Sequence, residues 1–381
     1  MTDAICPTLI AWSQGNQPTA AECQRVSDWM MEPARAAVWQ LDASSVALAL
    51  SDRTLLLQSI GQKLWQGEVE LPLLGDWTGW IATMWALWLP LALKIDRAQR
   101  SKALDLVTTQ RTQRTQRTQI TQTAQAARNT HLFVQGILGG QGTGKTTLSK
   151  VLQLLLGELS QQAAVLSIDD LYLTYAERCE LKEKDPRFIW RGPPGTHDID
   201  LGIRTFAQID SAAPGERVSL PRFDKSLHGG QGDRTQPELV PRPTIILFEG
   251  WCVGAEPISE DTFSALTELP EQIDTEADRL FAYDCNRKLK AYLPLWDYLD
   301  SLIVLRPEDY RFSQQWRQQA EKQMIEAGKS GLGGEEIADF VTYFWRALHP
   351  QLFIEPLTRA SQTDLVVTIR QNHQLGSLSL S

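Results

Sequence analysis

The stretch Gly139-Gly140-Gln141-Gly142-Thr143-Gly144-Lys145-Thr146 decides the fold of this 381-residue chain. It matches the template G-x-x-x-x-G-K-[ST] at every fixed position. An apolar run at residues 131–138 precedes it and predicts a buried strand, and residues 148–156 are apolar at near-helical spacing. Strand, glycine loop and helix therefore follow one another in the order that a phosphate-binding loop needs.

Such a loop binds phosphate for physical reasons. Its glycines let backbone N–H groups point inward at the anion, and the following helix aims its positive end at the same place. We expect Lys145 to reach the β- and γ-phosphates of a nucleotide and the Thr146 hydroxyl to bind Mg²⁺. The predicted nucleotide-binding residues are Gly139, Gly140, Gln141, Gly142, Thr143, Gly144, Lys145, Thr146 and Thr147.

The composition is that of an ordinary globular protein, with 43% hydrophobic and 22% charged residues. The length predicts two domains, or one large domain with an extension. A net charge of −9 argues against general nucleic-acid binding, which needs a basic face, although a local cationic pocket can still bind a small acid. We therefore expect a small-molecule substrate and no nucleic-acid partner.

Cysteine usage and the start of the chain bear on location. The cysteines at positions 6, 23, 179, 252 and 285 are scattered and show no metal-ligand spacing. The first residues lack a basic segment and include an early acidic residue, so neither a secretory signal nor a transit peptide is expected. Both observations favour a reducing, cytoplasmic location.

One uncharged segment resembles a membrane span. Residues 77–93 are shorter than the usual ~20 residues of a span, and they contain Gly79 and Pro90. Tryptophans at positions 77, 80, 85 and 88 recur at roughly helical spacing. We predict a buried helix or a docking face rather than a stable membrane span.

The chain divides into three regions. Residues 1–105 are tryptophan-rich and mostly helical in pattern, with a helix near 45–60, and show no catalytic grouping. The Thr-Gln-Arg repeat within residues 106–130 predicts a solvated linker with some helical content. Binding of its arginines to a polyanion is the less favoured alternative. Residues 131–381 form the predicted P-loop domain.

Strand and helix patterns alternate from residue 131 onward, which predicts an α/β fold with a mostly parallel sheet flanked by helices. Further buried strands are predicted at residues 163–168, 243–248, 302–305 and 364–369, and the last of these is expected to end the sheet. Ligands of such sheets bind beyond the carboxyl ends of the strands. Polar residues that directly follow a strand are therefore candidate site residues.

Carboxylates follow two of these strands. Asp169 and Asp170 come after the second strand, where a carboxylate can accept the proton of a substrate hydroxyl. The alternative for one of them is capping the next helix. Glu249 follows the third strand, where a carboxylate faces the Mg²⁺ of a P-loop site. The alternative is an exposed Glu at a strand end.

Cationic side chains concentrate in the loops between these strands, at Arg191, Arg222, Lys225 and Arg234. Loops at the strand-end face commonly bind ligands, and arginine can hold a carboxylate through two parallel hydrogen bonds. Solvated surface charge is the alternative for each residue. After the fourth strand, Arg317 lies on a predicted helix, from which it could neutralise charge on a transferred phosphoryl group.

Several motifs occur in a fixed order along residues 131–370, and together they resemble one family. Besides the glycine loop they are Ser167-Ile-Asp-Asp-Leu-Tyr172, Arg191-Gly-Pro-Pro-Gly-Thr-His-Asp198, Pro221-Arg-Phe-Asp-Lys225, Phe248-Glu-Gly-Trp251, Trp316-Arg-Gln-Gln319 and residues 339–350. This set is similar to the D-glycerate 3-kinases of the plant and cyanobacterial type. The broader group is the P-loop kinases that include phosphoribulokinase, uridine kinase and pantothenate kinase.

The resemblance implies ATP and Mg²⁺ as cofactors, D-glycerate as substrate and photorespiratory glycerate metabolism as context. It implies that Asp169 is the catalytic base and that Arg317 is an arginine of a lid. It also implies that Glu249 lies near Mg²⁺ and positions the ion together with Thr146. Lys145 and Arg317 would stabilise charge in the transition state. The implied substrate-binding residues are Arg191, His197, Asp198, Arg222 and Lys225. Which cation binds the substrate carboxylate stays open.

We therefore expect ATP-dependent phosphorylation of a small hydroxy acid. The nearest alternative is a related kinase for a nucleoside, pantothenate or a sugar phosphate. A nucleotide-dependent switch is less favoured, because residues 286–289, the string nearest to the guanine-reading N-K-x-D motif, lack the aspartate. In a third alternative, the tryptophan-rich N-terminal region is the main functional unit, as a partner or membrane adaptor.

Overall fold

The computed structural model describes residues 4–68, 77–113, 132–266, 268–326 and 334–381. The predicted fold class is confirmed within these residues. A six-stranded, mostly parallel sheet lies between layers of helices, and a helical region precedes it along the chain.

The elements have the following bounds. The helices before the sheet are α1 (Cys6–Ser13), α2 (Ala20–Met30), α3 (Pro33–Trp39), α4 (Val46–Trp65), α5 (Trp77–Thr83) and α6 (Leu89–Gln113). The later helices are α7 (Lys145–Glu158), α8 (Tyr175–Lys184), α9 (Ile199–Ser211), α10 (Glu260–Ser264), α11 (Glu276–Lys288), α12 (Leu293–Trp296), α13 (Phe312–Glu326), α14 (Gly334–Ala347) and α15 (Pro350–Phe353). The strands are β1 (Phe133–Gly139), β2 (Ala163–Ser167), β3 (Arg217–Leu220), β4 (Phe223–Asp224), β5 (Asp233–Arg234), β6 (Glu238–Pro241), β7 (Ile245–Gly250), β8 (Ser301–Pro307), β9 (Leu365–Ile369) and β10 (Leu375–Ser379).

The main sheet has the strand order β10-β9-β8-β1-β7-β2. Neighbouring strands are parallel, except that β10 pairs with β9 in the antiparallel direction. The expectation that residues 364–369 end the sheet was wrong. The edge strand β10, Leu-Gly-Ser-Leu-Ser, was missed because it has no apolar run and its residues are half-buried or exposed.

The sheet separates two apolar cores, because successive residues of a strand point to opposite faces. On one face, Ile137 and Leu305 pack with α7 and with the N-terminal helices. On the other face, Leu138, Val304 and Phe206 pack together. Burial on both faces holds the strands in register and so brings the carboxyl ends of β1, β2 and β7 to one edge of the sheet.

The N-terminal helices share the first of these cores. Trp12, Trp80, Trp85 and Trp88 are at most 9% exposed, and Trp12 meets Trp85 edge to face at 6.0 Å. The burial of these tryptophans confirms the predicted burial of the helical segment. Among the residues that the structure describes, no helix combines the length and the apolar character of a membrane span.

A widened helical turn separates α5 from α6. Residues 84–88 form a π-helix in which the Leu89 N–H donates to the Met84 carbonyl five residues earlier. Pro90 follows at once; it has no N–H, and its ring would clash with the carbonyl four residues before it in a regular α-helix. We attribute the wide turn to this proline.

Hydrogen bonds connect the N-terminal helices to the P-loop domain. Glu158 at the end of α7 accepts from Ser59 and from Lys63, the latter at 2.5 Å. Lys102 on α6 donates to Asp300 at 2.6 Å, just before β8. Helix α6 continues to Gln113 and so extends into the predicted linker, whose remaining residues lie outside the described part of the chain.

Candidate active site

The glycine loop joins the end of β1 to the start of α7, as the sequence predicted. Gly142 and Gly144 have φ values of 76° and 88°, the left-handed region that side chains disfavour. A Cβ on Gly142 would also lie 2.5 Å from the Cβ of Trp316 on α13. Inside the loop, the Thr143 hydroxyl donates to the Gly140 carbonyl at 2.8 Å. Backbone conformation and close packing therefore both require glycine here.

Three predicted site residues meet at the first turn of α7. The Thr146 hydroxyl donates to Glu249 Oε1 at 3.1 Å, and Lys145 Nζ donates to the Gly140 carbonyl at 2.9 Å. Burial lowers the pKa of Lys145, and the carboxylates of Glu249 and Asp169 oppose that shift. Burial raises the pKa of Glu249, which Lys145 opposes. A partly buried ammonium, a hydroxyl and a carboxylate thus converge at the strand ends.

Asp169 lies in the turn that follows β2, where its carboxylate pairs with Lys225 Nζ at 2.5 Å. The Tyr172 hydroxyl also hydrogen-bonds to this carboxylate. Burial alone raises the pKa of Asp169, but Lys225 and Tyr172 together bring it below its ordinary value. Asp169 is therefore ionised at neutral pH, as an acceptor of a proton must be.

Asp170, by contrast, holds the backbone together. It accepts from the Ser167 N–H at 3.1 Å and the Phe223 N–H at 3.2 Å, and it pairs with Arg222 at 3.0 Å. Ser167 is the N-cap of this turn and Asp170 completes the capping box. The capping alternative therefore applies to Asp170, although the N-cap position itself belongs to Ser167.

Two of the predicted substrate-binding residues are engaged with protein groups. Arg222 contacts Asp170, Glu238 and the Val165 carbonyl. Asp198 caps α9 through the Leu201 N–H at 2.8 Å, and its other oxygen accepts from Arg234 at 2.9 Å. Both residues hold loops in place in this structure, and their predicted contact with the substrate stays a prediction.

Arg191 and Lys225 are the other two predicted substrate-binding cations. Arg191 donates to the carbonyls of Gly230 and Gln231 at 2.8 and 2.9 Å. Its guanidinium carbon lies 6.0 Å from the Tyr172 ring centroid. Lys225 Nζ binds Asp169, as noted above, and its side chain is 60% exposed. Of the predicted cations, these two remain candidates for a ligand's negative charge.

His197 lies in a buried aromatic layer. Its ring stacks on Tyr172 at 4.7 Å and 19°, and Nδ1 lies 2.7 Å from the Tyr292 hydroxyl. Its Nε2 atom is buried and has no hydrogen-bond partner among the described residues. Burial lowers the pKa of His197 to about 4, although the charge of Asp169 opposes the shift. The imidazole is therefore neutral at pH 7.

Arg317 is one residue beyond Trp316, which packs on the glycine loop. Its guanidinium pairs with Glu321 on the same helix and lies 5.3 Å from the Phe340 ring centroid. Its Nε atom is buried without a partner among the described residues. The lid role predicted for Arg317 stays a prediction.

Sequence reasoning missed several features near the site. No role was predicted for Tyr172. Its position three residues after Asp169, at the end of a short helical turn, could have indicated that its side chain approaches that carboxylate. Arg178 donates to the Gly232 carbonyl and supports the glycine-rich loop. A cavity of about 410 Å³ also opens beside Gly140 and Gln141, with Trp251, Tyr310, Phe344 and Trp345 among its lining residues.

The structure also bears on the guanine-binding alternative. Asn286 is buried in α11, and its amide bonds the backbone N–H and carbonyl of Ile258 at 2.8 and 2.7 Å. Both polar atoms of this side chain are therefore engaged in holding a loop. Asn286 is not placed to read a nucleotide base.

Comparison with known proteins reveals relatives across the P-loop domain. D-glycerate 3-kinase, chloroplastic, from Arabidopsis thaliana is 34% identical over 234 residues, which is 58% of this chain and 49% of that protein. Uncharacterized kinase mug58 from Schizosaccharomyces pombe is 33% identical over 220 residues, 56% of this chain and 78% of that protein. The chain thus spans about half the length of the plant relative. No protein-family model matches the chain.

A solved structure shares the fold. D-glycerate 3-kinase from Cryptococcus neoformans superimposes with a TM-score of 0.60 at 23% identity, covering 76% of this chain and 99% of that one. At this identity the likeness supports the arrangement of helices and strands, and it carries no residue roles.

Proposed function

We propose an activity for this chain from one premise: it belongs to the family of P-loop kinases that includes plant D-glycerate 3-kinase. The proposed reaction is transfer of the γ-phosphoryl group of ATP to the 3-hydroxyl of D-glycerate, giving 3-phosphoglycerate. The observation that supports it best is the pairing of Asp169 with Lys225 at 2.5 Å, where both charges act on the partly buried Lys145. That arrangement combines a proton acceptor and cations at one strand-end edge.

Each residue has a role in this proposal. Asp169 orients the primary alcohol and accepts its proton, because its lowered pKa keeps the carboxylate ionised at neutral pH. Lys145 leaves the Gly140 carbonyl to bind the β- and γ-phosphates, and Arg317 approaches the transferred group when α13 and α14 close. Lys225 and Arg191 hold the acid's negative charge.

The residues present fit Mg²⁺. Thr146 and Glu249 offer a hydroxyl and a carboxylate oxygen 3.1 Å apart, and such hard oxygen ligands suit this ion. Bound there, Mg²⁺ would neutralise charge on the β- and γ-phosphates. Glu249 would contribute through water, and Thr146 would turn its hydroxyl away from Glu249 to bind directly.

The decisive experiment measures ADP release with ATP, Mg²⁺ and D-glycerate, and identifies the phosphorylated carbon by ³¹P and ¹³C NMR. The panel includes L-glycerate, uridine and pantothenate, because related kinases act on other alcohols. We expect turnover with D-glycerate and phosphate on carbon 3. Turnover with uridine or pantothenate alone would replace the proposed substrate while keeping the kinase chemistry.

The cytoplasmic location also belongs to the proposal. The Arabidopsis relative is a chloroplastic protein by name, so import into an organelle is the alternative for this chain. Fractionation of cells that express the full chain, followed by immunoblotting, distinguishes the two locations.

A further inference from the structure

The strongest unexplained feature is the unpartnered Nε2 atom of His197. The residue is 5% exposed, and Nε2 has no partner within the part of the chain that the structure describes. A buried polar atom without a hydrogen bond destabilises the fold, because it has lost its bond to water and gained no other. Such a cost is commonly offset by a ligand or a water molecule that occupies the vacant bonding position.

The hydrogen bonds around Tyr292 determine which ring nitrogen of His197 carries the proton. The Tyr292 hydroxyl accepts from the Gly195 N–H at 3.0 Å and lies 2.7 Å from His197 Nδ1. If Tyr292 donates to Nδ1, every group of this pair is satisfied except the Nε2–H. If Nδ1–H donates instead, both the tyrosine proton and the Nε2 lone pair lack partners. The first arrangement leaves fewer unsatisfied groups, so the proton lies on Nε2.

The position of this donor suggests what it binds. The His197 ring stacks on Tyr172, whose hydroxyl bonds Asp169, and the backbones of Tyr172 and His197 are paired as a β-bridge. His197 and Asp169 therefore both contact Tyr172. In a 2,3-dihydroxy acid whose 3-hydroxyl lies at Asp169, the 2-hydroxyl is on the adjacent carbon, within reach of a donor beside Tyr172.

We propose that the Nε2–H of His197, its tautomer fixed by Tyr292, donates a hydrogen bond to the 2-hydroxyl oxygen of the acid. This inference rests on the proposed function and goes further, because it assigns one atom of the protein to one atom of the substrate. His197 is then a specificity-determining residue. It distinguishes a 2,3-dihydroxy acid from a 3-hydroxy acid that lacks the second oxygen.

Binding measurements test the assignment. His197→Phe keeps a ring against Tyr172 and removes both nitrogens. The dissociation constants of D-glycerate and 3-hydroxypropionate are measured with a non-hydrolysable ATP analogue and Mg²⁺. We expect about a tenfold loss for D-glycerate, the size of one neutral hydrogen bond, and less than a twofold change for 3-hydroxypropionate. Equal losses for both acids would overturn the proposal, and a buried water on Nε2 would give no selective loss and overturn it too.

Tyr292→Phe is the matched variant. It removes the hydroxyl that orients His197 and leaves Nε2 in place, so we expect a smaller loss that is again confined to D-glycerate. If Tyr292→Phe instead weakens the binding of D-glycerate as much as His197→Phe does, and weakens the binding of 3-hydroxypropionate equally, both residues have a packing role. That result would contradict the proposal.

A spectroscopic readout does not depend on the substrate. In the ¹⁵N-histidine-labelled full chain, long-range ¹H–¹⁵N correlations should show His197 as the neutral Nε2–H tautomer at pH 7, with the signal assigned by its shift in Tyr292→Phe. An Nδ1–H tautomer or an imidazolium would overturn the inference even if His197→Phe fails to fold. Absence of D-glycerate turnover in the wild type would instead reject the proposed function.

Discussion

The seam between the N-terminal helices and the P-loop domain, and the loops beyond the strand ends, use polar groups in opposite ways. At the seam, Glu158 and Asp300 each accept a hydrogen bond from a lysine of the N-terminal region. At the strand ends, Lys145 donates to the Gly140 carbonyl, Asp169 pairs with Lys225, and His197 Nε2 is unpartnered within the described chain. Ion pairs across the seam stabilise the fold, whereas the groups at the proposed catalytic centre can exchange their present partners for a ligand. We therefore expect changes at the seam to alter stability and changes at the strand ends to alter turnover.

Deletion of residues 1–113 should have the largest effect. It exposes the face of α7 and the sheet that includes Leu152 and Ile137, both buried against the N-terminal helices. We expect the remaining fragment to aggregate and to show no thermal transition, because a large apolar surface becomes exposed. Co-expression of residues 1–113 as a separate chain is the control and should restore solubility. A soluble, active fragment without it would make the helices dispensable.

Asp169→Asn should abolish turnover with little change in stability. A positioned general base contributes typically 10²–10⁴-fold, so we expect kcat to fall by about that factor while ATP affinity persists. The matched control is the neighbouring Asp170→Asn. Because Asp170 bonds two backbone N–H groups and Arg222, that variant should lower the melting temperature and change kcat far less. Near-normal turnover in Asp169→Asn would remove the residue from the base role.

The charge of Lys225 should set the pH range of activity. Burial raises the pKa of Asp169, and Lys225 is the main group that brings it below the ordinary 3.8. The base must be deprotonated, so the acid limb of kcat in the wild type lies below that pH. In Lys225→Met the pKa of Asp169 rises, and the acid limb should move to higher pH.

A pH profile of kcat from pH 4 to 8 measures this shift. Lys290→Met is a matched control, because Lys290 pairs with Glu260 at the same 2.5 Å and this pair includes no predicted site residue. Its profile should coincide with that of the wild type. An unchanged acid limb in Lys225→Met would mean that another group limits activity at low pH.

The parts of the site that the sequence predicted are those set by short-range geometry. The glycine loop and Asp169 follow strands, whereas Glu249, which we expected after its strand, is the penultimate residue of β7; parallel pairing brings all three to one edge. The ion pairs of Asp198 and Arg222 could not be predicted in this way. Their partners lie 36 and 52 residues away in sequence, at Arg234 and Asp170, so no local pattern reveals these pairs. Only the capping of α9 by Asp198 is local, because Leu201 lies three residues on.

The sequence predicted that the N-terminal region is helical and buried, but not which surface of the P-loop domain it contacts. Tryptophans at helical spacing indicated a buried helical segment, which Trp80 and Trp85 confirm. Amphipathic patterns identify an apolar face but do not say which other face it meets. The contact of Lys63 with Glu158, which are 95 residues apart, therefore emerges only from the fold.

That contact should have the smallest effect. Burial raises the pKa of Glu158, but hydrogen bonds from Lys63 and Ser59 outweigh it, so the folded-state pKa is below the ordinary 4.5. The pair therefore stabilises the fold above that pH, and the contribution is lost as pH falls through the folded-state pKa. Lys63 is 43% exposed, so we expect a coupling of at most ~1 kcal/mol at pH 7. A double-mutant cycle of Lys63→Met and Glu158→Gln, followed by denaturant unfolding at a series of pH values from 7 down to the acid limit of the fold, measures it. Coupling that does not fall along this series would show that the ion pair is not its source.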